Sequence, residues 1–210
     1  SDSRGSKPKA VKVGDQWVIN GSKIFITNAS SEISIGSTAQ TVTSTDEKGN
    51  KSFTNFIVRR NVPGFKAVAM HGKMMWRASD TAELYFDDCK VRDEDMLGKE
   101  GEGSKIMLAT LDSGRLSIAA MGLGLAQGAF ELALNYSKER KQFGKPIGKF
   151  QINAFKLADM ATKIELARNL LYKACWLKDN KLPFAKEAAM SKLYCSEIAK
   201  QVADEAVQIH

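Results

Sequence analysis

Residues 81–87 read Thr81-Ala82-Glu83-Leu84-Tyr85-Phe86-Asp87, apolar and polar side chains in alternation. Successive side chains of a strand point to opposite faces, so Ala82, Leu84 and Phe86 make a buried face and Glu83, Tyr85 and Asp87 a wet one. The rest of residues 1–98 has the same character. Short β-branched and aromatic runs stand at 11–13, 17–19 and 24–27, punctuated by Gly14-Asp15 and Asn20-Gly21. Asn-Gly predicts a hairpin, because both turn positions must accept positive φ. The turn-forming run Asp46-Glu47-Lys48-Gly49-Asn50 divides strands expected over 38–44 and 53–58. No helix-length pattern separates these strands, so the sheet is expected to be antiparallel, a small barrel or sandwich.

From about residue 102 the period changes. Met160, Ile164, Ala167, Leu171 and Ala174 form one apolar stripe of a long helix, and Ala199, Val202, Ala206 and Ile209 form another. Asp179-Asn180 and Pro183 break the pattern between them. Residues 106–137 are rich in Ala and Gly, and residues 143–148, with two Gly and a Pro, read as a loop. Long helices in sequence imply a bundle. The fold class is therefore α+β: a β-domain over residues 1–100, then a helical domain over 101–210.

The chain has 210 residues, 43% hydrophobic and 26% charged, an ordinary globular balance. No run of 18 apolar residues occurs, so no membrane partner is expected. Cys89, Cys175 and Cys195 are scattered, without CxxC spacing, and read as reduced, buried thiols. Two histidines, His71 and His210, leave little material for a metal site or a Ser-His-Asp triad. The chain opens at Ser1-Asp2 without an initiator Met, and residues 199–210 keep a helical pattern that meets no stop signal, so both ends are expected to be cuts.

Several motifs admit two readings. Gly122-Leu-Gly124-Leu-Ala-Gln-Gly128 resembles a dinucleotide fingerprint, but its last spacing is one residue too long and no strand precedes it; close helix packing is the better reading. Lys138, Arg140, Lys141, Lys145 and Lys149 surround Gln142-Phe143-Gly144. They are either a solvated helix end complementing the helix dipole or an anion clamp with an Arg fork. Ile26-Thr27-Asn28, beside Phe25, is either a turn or a seat for a flat heterocycle. Asp112-Ser113-Gly114-Arg115 is either a local ion pair or an Arg aimed into a cleft.

Taken together these motifs resemble one family. Residues 20–28, Asn-Gly-Ser-Lys-Ile-Phe-Ile-Thr-Asn, are similar to the N-G-x-K-x-[WF]-I-T-N block of the acyl-CoA dehydrogenases. Residues 77–88 resemble the close of that family's β-domain. Leu111-Asp112-Ser113-Gly114-Arg115, then 139–147 (Glu-Arg-Lys-Gln-Phe-Gly-Lys-Pro-Ile), then 206–210 (Ala-Val-Gln-Ile-His) follow in the family's order. The likeness spans the chain and is strongest to bacterial-looking, short-chain (butyryl-CoA-type) members.

The resemblance implies roles. Phe25, Ile26 and Thr27 lie against the isoalloxazine of FAD, with Thr27 near flavin N5. Phe25 keeps a stacking face where the family often has Trp. Arg140, Phe143 and Gln151 hold the pyrophosphate and adenosine end of the neighbouring subunit's FAD, with Gln208, Ile209 and His210 continuing that contact. Ser1 is shared between flavin and substrate, and Asp112, Ser113, Gly114 and Arg115 line the acyl-CoA site. No catalytic residue is assigned, because the base Glu is expected beyond His210 and the alternative family position is Gly114. The implied reaction is α,β-dehydrogenation of a short-chain acyl-CoA to the trans-2-enoyl-CoA, with electrons passed to an electron-transfer flavoprotein by a homotetramer (a dimer of dimers). The implied location is the bacterial cytoplasm, or the mitochondrial matrix of a eukaryote. The net charge of +7 keeps open a same-fold flavoprotein that binds DNA, and a non-catalytic structural subunit is the other alternative.

Overall fold

The computed structural model describes residue 2 and residues 5–210 and divides into two compact units, Ser1–Leu108 and Ala109–His210. The first is built on a seven-stranded sheet. Its strands are β1 (Lys9–Val13), β2 (Gln16–Thr27), β3 (Gly36–Thr45), β4 (Lys51–Arg59), β5 (Phe65–Ala69), β6 (Thr81–Arg92) and β7 (Met96–Leu97), in the order β5-β6-β2-β1-β3-β4-β7.

The α+β class holds, with two differences in the sheet. It is mixed, since β1 runs parallel to β3 where Lys9 faces Val42. It is also not a closed barrel, because β5 and β7 end the strand order unpaired to each other. The sheet nevertheless rolls. β2 and β4 are three strand positions apart, about 14 Å in a flat sheet, yet the Trp17 and Phe56 rings lie 5.4 Å apart. That curl encloses Ile19, Phe56, Val58, Leu84 and Cys89, all fully buried. The alternation over residues 82–87 holds: Ala82, Leu84 and Phe86 are buried while Tyr85 and Asp87 are exposed.

The tight hairpin is at Gly14-Asp15, with Val13 facing Gln16. The Asn20-Gly21 hairpin expectation is corrected. These residues lie inside β2 as a bulge, where the register jumps between Ile19 and Gly21. Gly21 has φ +128°, and a Cβ there would stand 2.8 Å from Pro8 Cα. The same residue pair that suits a turn here permits a close backbone crossing.

The second unit holds most of α1 (Gly103–Glu139), with α2 (Gln151–Asp179) and α3 (Ala185–Ile209). On α2 the buried stripe is the expected one, extended by Leu157. On α3 the buried residue is Ile198 rather than Ala199, a shift of one position toward the larger side chain. Leu116, Ala119, Leu123, Ala126 and Ala133 of α1 complete this core. By length and composition alone α1 could cross a membrane, a test that the core helix of a bundle also passes. Cys89 and Cys195 are buried and burial pushes both thiols up, as expected of inert cysteines, whereas Cys175 is only half-buried. Residues 143–148 are more ordered than a loop. β8 (Lys141–Gln142) and β9 (Lys145–Pro146) form a small antiparallel hairpin, followed by one 3₁₀ turn.

Candidate functional site

The end of β2 is built to present a ring. Lys23 faces Leu84 and Ile26 faces Ala82, so Ile24 and Phe25 both stand opposite Glu83. This bulge turns Phe25 outward with φ +62° and 68% exposure. A left-handed backbone costs a bulky L-residue about 1–2 kcal/mol, and such strain concentrates where a side chain must be aimed. Ile26 packs on the sheet core. Thr27 is exposed, and its hydroxyl makes no hydrogen bond among the described residues. The result is an aromatic face, an aliphatic neighbour and a free hydroxyl side by side.

A polar latch pins this strand end from behind. Asn28 N–H donates to the Asp80 carbonyl at 3.1 Å. The Asp80 carboxylate accepts the Ser30 and Ser31 amides at 2.9 and 3.1 Å and a short bond from the Ser30 hydroxyl. That hydroxyl, with the two amides and the charge of Lys73, holds the Asp80 carboxyl below the usual carboxylate range. Lys73 in turn donates to Thr81 Oγ1 at 2.8 Å and to the Ser79 carbonyl. The motif reading did not single out this latch, since nothing in sequence marks Ser30 and Asp80 as partners.

The second feature is the β8–β9 hairpin. Phe143 (φ +52°) and Gly144 (φ +76°) form its two-residue turn, both left-handed as in a type I′ turn. Phe143 is 91% exposed and meets Phe150 edge-on at 6.1 Å, while Lys145 Nζ stands 4.5 Å above the Phe150 ring. Lys138, Arg140, Lys141, Lys145 and Lys149 are all exposed. Among the described residues none of them pairs with a carboxylate. These five exposed cations are spread over the end of α1, the hairpin and the following 3₁₀ turn, an arrangement whose chemistry suits an anion.

The remaining residues fall as follows. Arg115 forms a short ion pair with Asp112 one helical turn earlier on α1, both partly buried; Ser113 is half-buried, and Gly114 is exposed with open space where a Cβ would be. Gln151 is exposed at the first turn of α2. Gln208 is exposed at the end of α3. His210 stacks on Tyr136 at 4.5 Å, and its ring Nδ1 lies 2.8 Å from the Ala206 carbonyl. The Ile209 side chain is buried in the helical core. Ser1 lies outside the described residues.

Sequence reasoning missed a cleft of about 450 Å³ lined by Gly49, Lys51, Phe53, Ser104, Met107 and Leu108, where the 46–50 turn meets the start of α1. Its lining comes from two segments far apart in sequence, neither carrying a motif.

The chain matches two family models, acyl-CoA dehydrogenase middle domain over residues 1–89 and acyl-CoA dehydrogenase C-terminal domain over residues 101–210. It is 46% identical to a short-chain specific acyl-CoA dehydrogenase of Clostridium acetobutylicum, over all of this chain and 54% of that one. It superposes on butyryl-CoA dehydrogenase from Megasphaera elsdenii with a TM-score of 0.90 and 46% identity, covering 99% of this chain and 54% of the other. A chain from a structure described as the electron transferring flavoprotein of Acidaminococcus fermentans gives a TM-score of 0.88 at 46% identity, with 99% and 54% covered. The chain therefore belongs to the acyl-CoA dehydrogenase family and spans about half the length of the relatives it matches. The family's cofactor is FAD.

The residues present fit that cofactor. The exposed Phe25 ring with the free Thr27 hydroxyl suits a flat heterocycle edged by hydrogen-bonding atoms. The unpaired cations of the hairpin suit a pyrophosphate.

Proposed function

We propose that the protein containing this chain is an FAD-dependent dehydrogenase that converts a short-chain acyl-CoA to its trans-2-enoyl-CoA. The observation that carries this reading is the pair of seats described above, a ring platform at the end of β2 and an uncompensated basic hairpin after α1. The short-chain and butyryl-CoA relatives support the substrate class.

FAD, when bound, supplies the hydride acceptor and the electron store. The chain supplies position and electrostatics. Phe25 and Ile26 cover a ring face and keep water from it. Thr27 offers its hydroxyl to the ring edge. Arg140, Phe143 and Gln151 hold the pyrophosphate and adenosine end, with Gln208, His210 and the Ile209 backbone beside them. Asp112, Ser113, Gly114 and Arg115 line the acyl-CoA path, the Asp112–Arg115 pair fixing the guanidinium direction. The cleft beside Lys51 and Ser104 offers a cation and a hydroxyl to the polar part of the substrate. Gly114 leaves the position before Arg115 without a carboxylate, so the proton-abstracting base is assigned to none of these residues.

The proposed electron acceptor is an electron-transfer flavoprotein, which the Acidaminococcus structure supports. The proposed assembly is a homotetramer, and the proposed location is the bacterial cytoplasm.

The test is anaerobic titration of the full-length protein with butyryl-CoA while the visible flavin band is followed. Bleaching of that band is the expected result. Bound FAD that stays unchanged with butyryl-, octanoyl- and branched acyl-CoAs would overturn the dehydrogenase reading.

A further inference from the structure

The placement of the basic hairpin depends in part on groups outside the 139–147 block, among them Tyr136, Phe150 and Asn153. Arg140 N–H donates to the Tyr136 carbonyl at 2.9 Å, the last helical bond of α1, and the Arg140 carbonyl accepts the Ile147 N–H at 2.8 Å. The Ile147 carbonyl accepts twice, from Phe150 N–H at 3.1 Å and from Asn153 Nδ2 at 3.0 Å. Hydrogen bonds in series thus join the first turn of α2 to the last turn of α1, with Arg140 between them. On the other side Gly148 rests on buried Ser137, whose Oγ would lie 2.9 Å from a Cβ at 148.

Asn153 is the unusual member of this series. Asn is disfavoured inside helices and favoured at their starts, because its amide competes for backbone groups. Phe150, the N-cap of α2, has no side-chain cap bond. Asn153, in the first turn, instead directs its amide outside the helix to a carbonyl six residues earlier.

We propose that Asn153 is a positioning residue for cofactor binding, holding the 3₁₀ turn so that the hairpin presents Arg140 to the FAD pyrophosphate. The proposal rests on the reading of this hairpin as the pyrophosphate clamp. A planar guanidinium fork gains from fixed placement, since bidentate pairing is directional. Freedom left in the free protein must be removed on binding and weakens affinity. Loss of the Asn153 bond does not orphan the Ile147 carbonyl, because Phe150 N–H remains. The residue is therefore separable from folding.

The test uses full-length protein stripped of flavin. FAD dissociation constants come from quenching of flavin fluorescence, and the melting temperature of the flavin-free protein is measured beside them. Asn153→Leu is expected to weaken FAD binding about fivefold, the worth of one neutral hydrogen bond, and to leave the flavin-free melting point within about 2 °C. Asn153→Gln, which keeps an amide donor, is expected to recover most of the affinity. If Leu at this site prevents folding, Asn153→Ala gives the same comparison with a better helix former. Unchanged FAD affinity in Asn153→Leu beside a tight-binding wild type overturns the Asn153 assignment alone. A lowered melting point with no rescue by Gln overturns it too, marking the residue as structural. A wild-type protein that binds no FAD overturns the clamp reading itself.

Discussion

A Cβ built on Gly122 of α1 would stand 2.8 Å from the backbone carbonyl oxygen of Cys195 on α3. The two helices can approach this closely only because residue 122 has no side chain. Gly124 is about 200° further round the same helix, and it has nothing within 4 Å of its Cβ position. The two glycines should therefore answer substitution in opposite directions. Gly122→Ala must push two backbones apart and should cost about 1–3 kcal/mol. Gly124→Ala should stabilise the chain by about 0.5–1 kcal/mol, since it removes only backbone freedom. Urea unfolding of the two variants decides the point; equal effects would mean that the α1–α3 approach is wrong.

That contrast also shows how far sequence carries. The run Gly122 to Gly128 reads as close helix packing, yet only Gly122 of its three glycines lies against another backbone. Composition does not reveal which side of a helix faces a neighbour. The strand alternation at 82–87 and the α2 stripe were legible because each follows from local geometry, a period of two or near 3.6. Asn20-Gly21 was misread because a turn and this bulge both use positive φ at the glycine, and the approach of Pro8 decides between them. In the site, Thr27 and Arg140 stood out within recognisable blocks. Asn153 did not, and Asp80 lay in a recognisable block without its role showing, because a polar residue's partner is a tertiary fact.

Arg140 should dominate the salt sensitivity of cofactor binding. It is exposed and has no carboxylate partner among the described residues. A charge-assisted contact is worth about 1.5–3 kcal/mol, so Arg140→Met should weaken FAD binding about 10- to 100-fold. Arg140→Lys should recover part of this, as a point charge without the fork. The measurement is FAD affinity at low and high ionic strength. A variant as tight and as salt-sensitive as wild type would remove Arg140 from the clamp.

The Asp80 latch should give the β2 end an acid limit. Its carboxyl is held below the usual range, chiefly by the Ser30 hydroxyl. For a group with a depressed native pKa, the stabilisation is complete above the unfolded value, about 4. It is lost as pH falls through the lower native value. Asp80→Asn should therefore be less stable than wild type near neutral pH, and the gap should close below about pH 4. Urea midpoints across that range test it. A gap that stays constant into acid would show that the charge of Asp80 contributes nothing.

Phe25 separates stability from function most sharply. Its backbone sits at φ +62° because the bulge aims its ring outward, and the ring itself is 68% exposed, so it contributes little to the core. Glycine adopts that φ without strain, so Phe25→Gly should stabilise the flavin-free protein by up to about 1 kcal/mol. The same change removes the proposed stacking face and should weaken FAD binding about tenfold, the worth of a lost aromatic contact. Phe25→Ala keeps the backbone strain and loses the ring, so it should bind as weakly as the glycine variant without its gain in stability. Melting points of the flavin-free proteins, read beside FAD affinities, distinguish these outcomes. Retained affinity in both variants would mean that the ring platform does not hold the flavin. A destabilised glycine variant would mean that the left-handed conformation carries no strain, and that the Phe25 ring, despite its exposure, helps to pack the sheet.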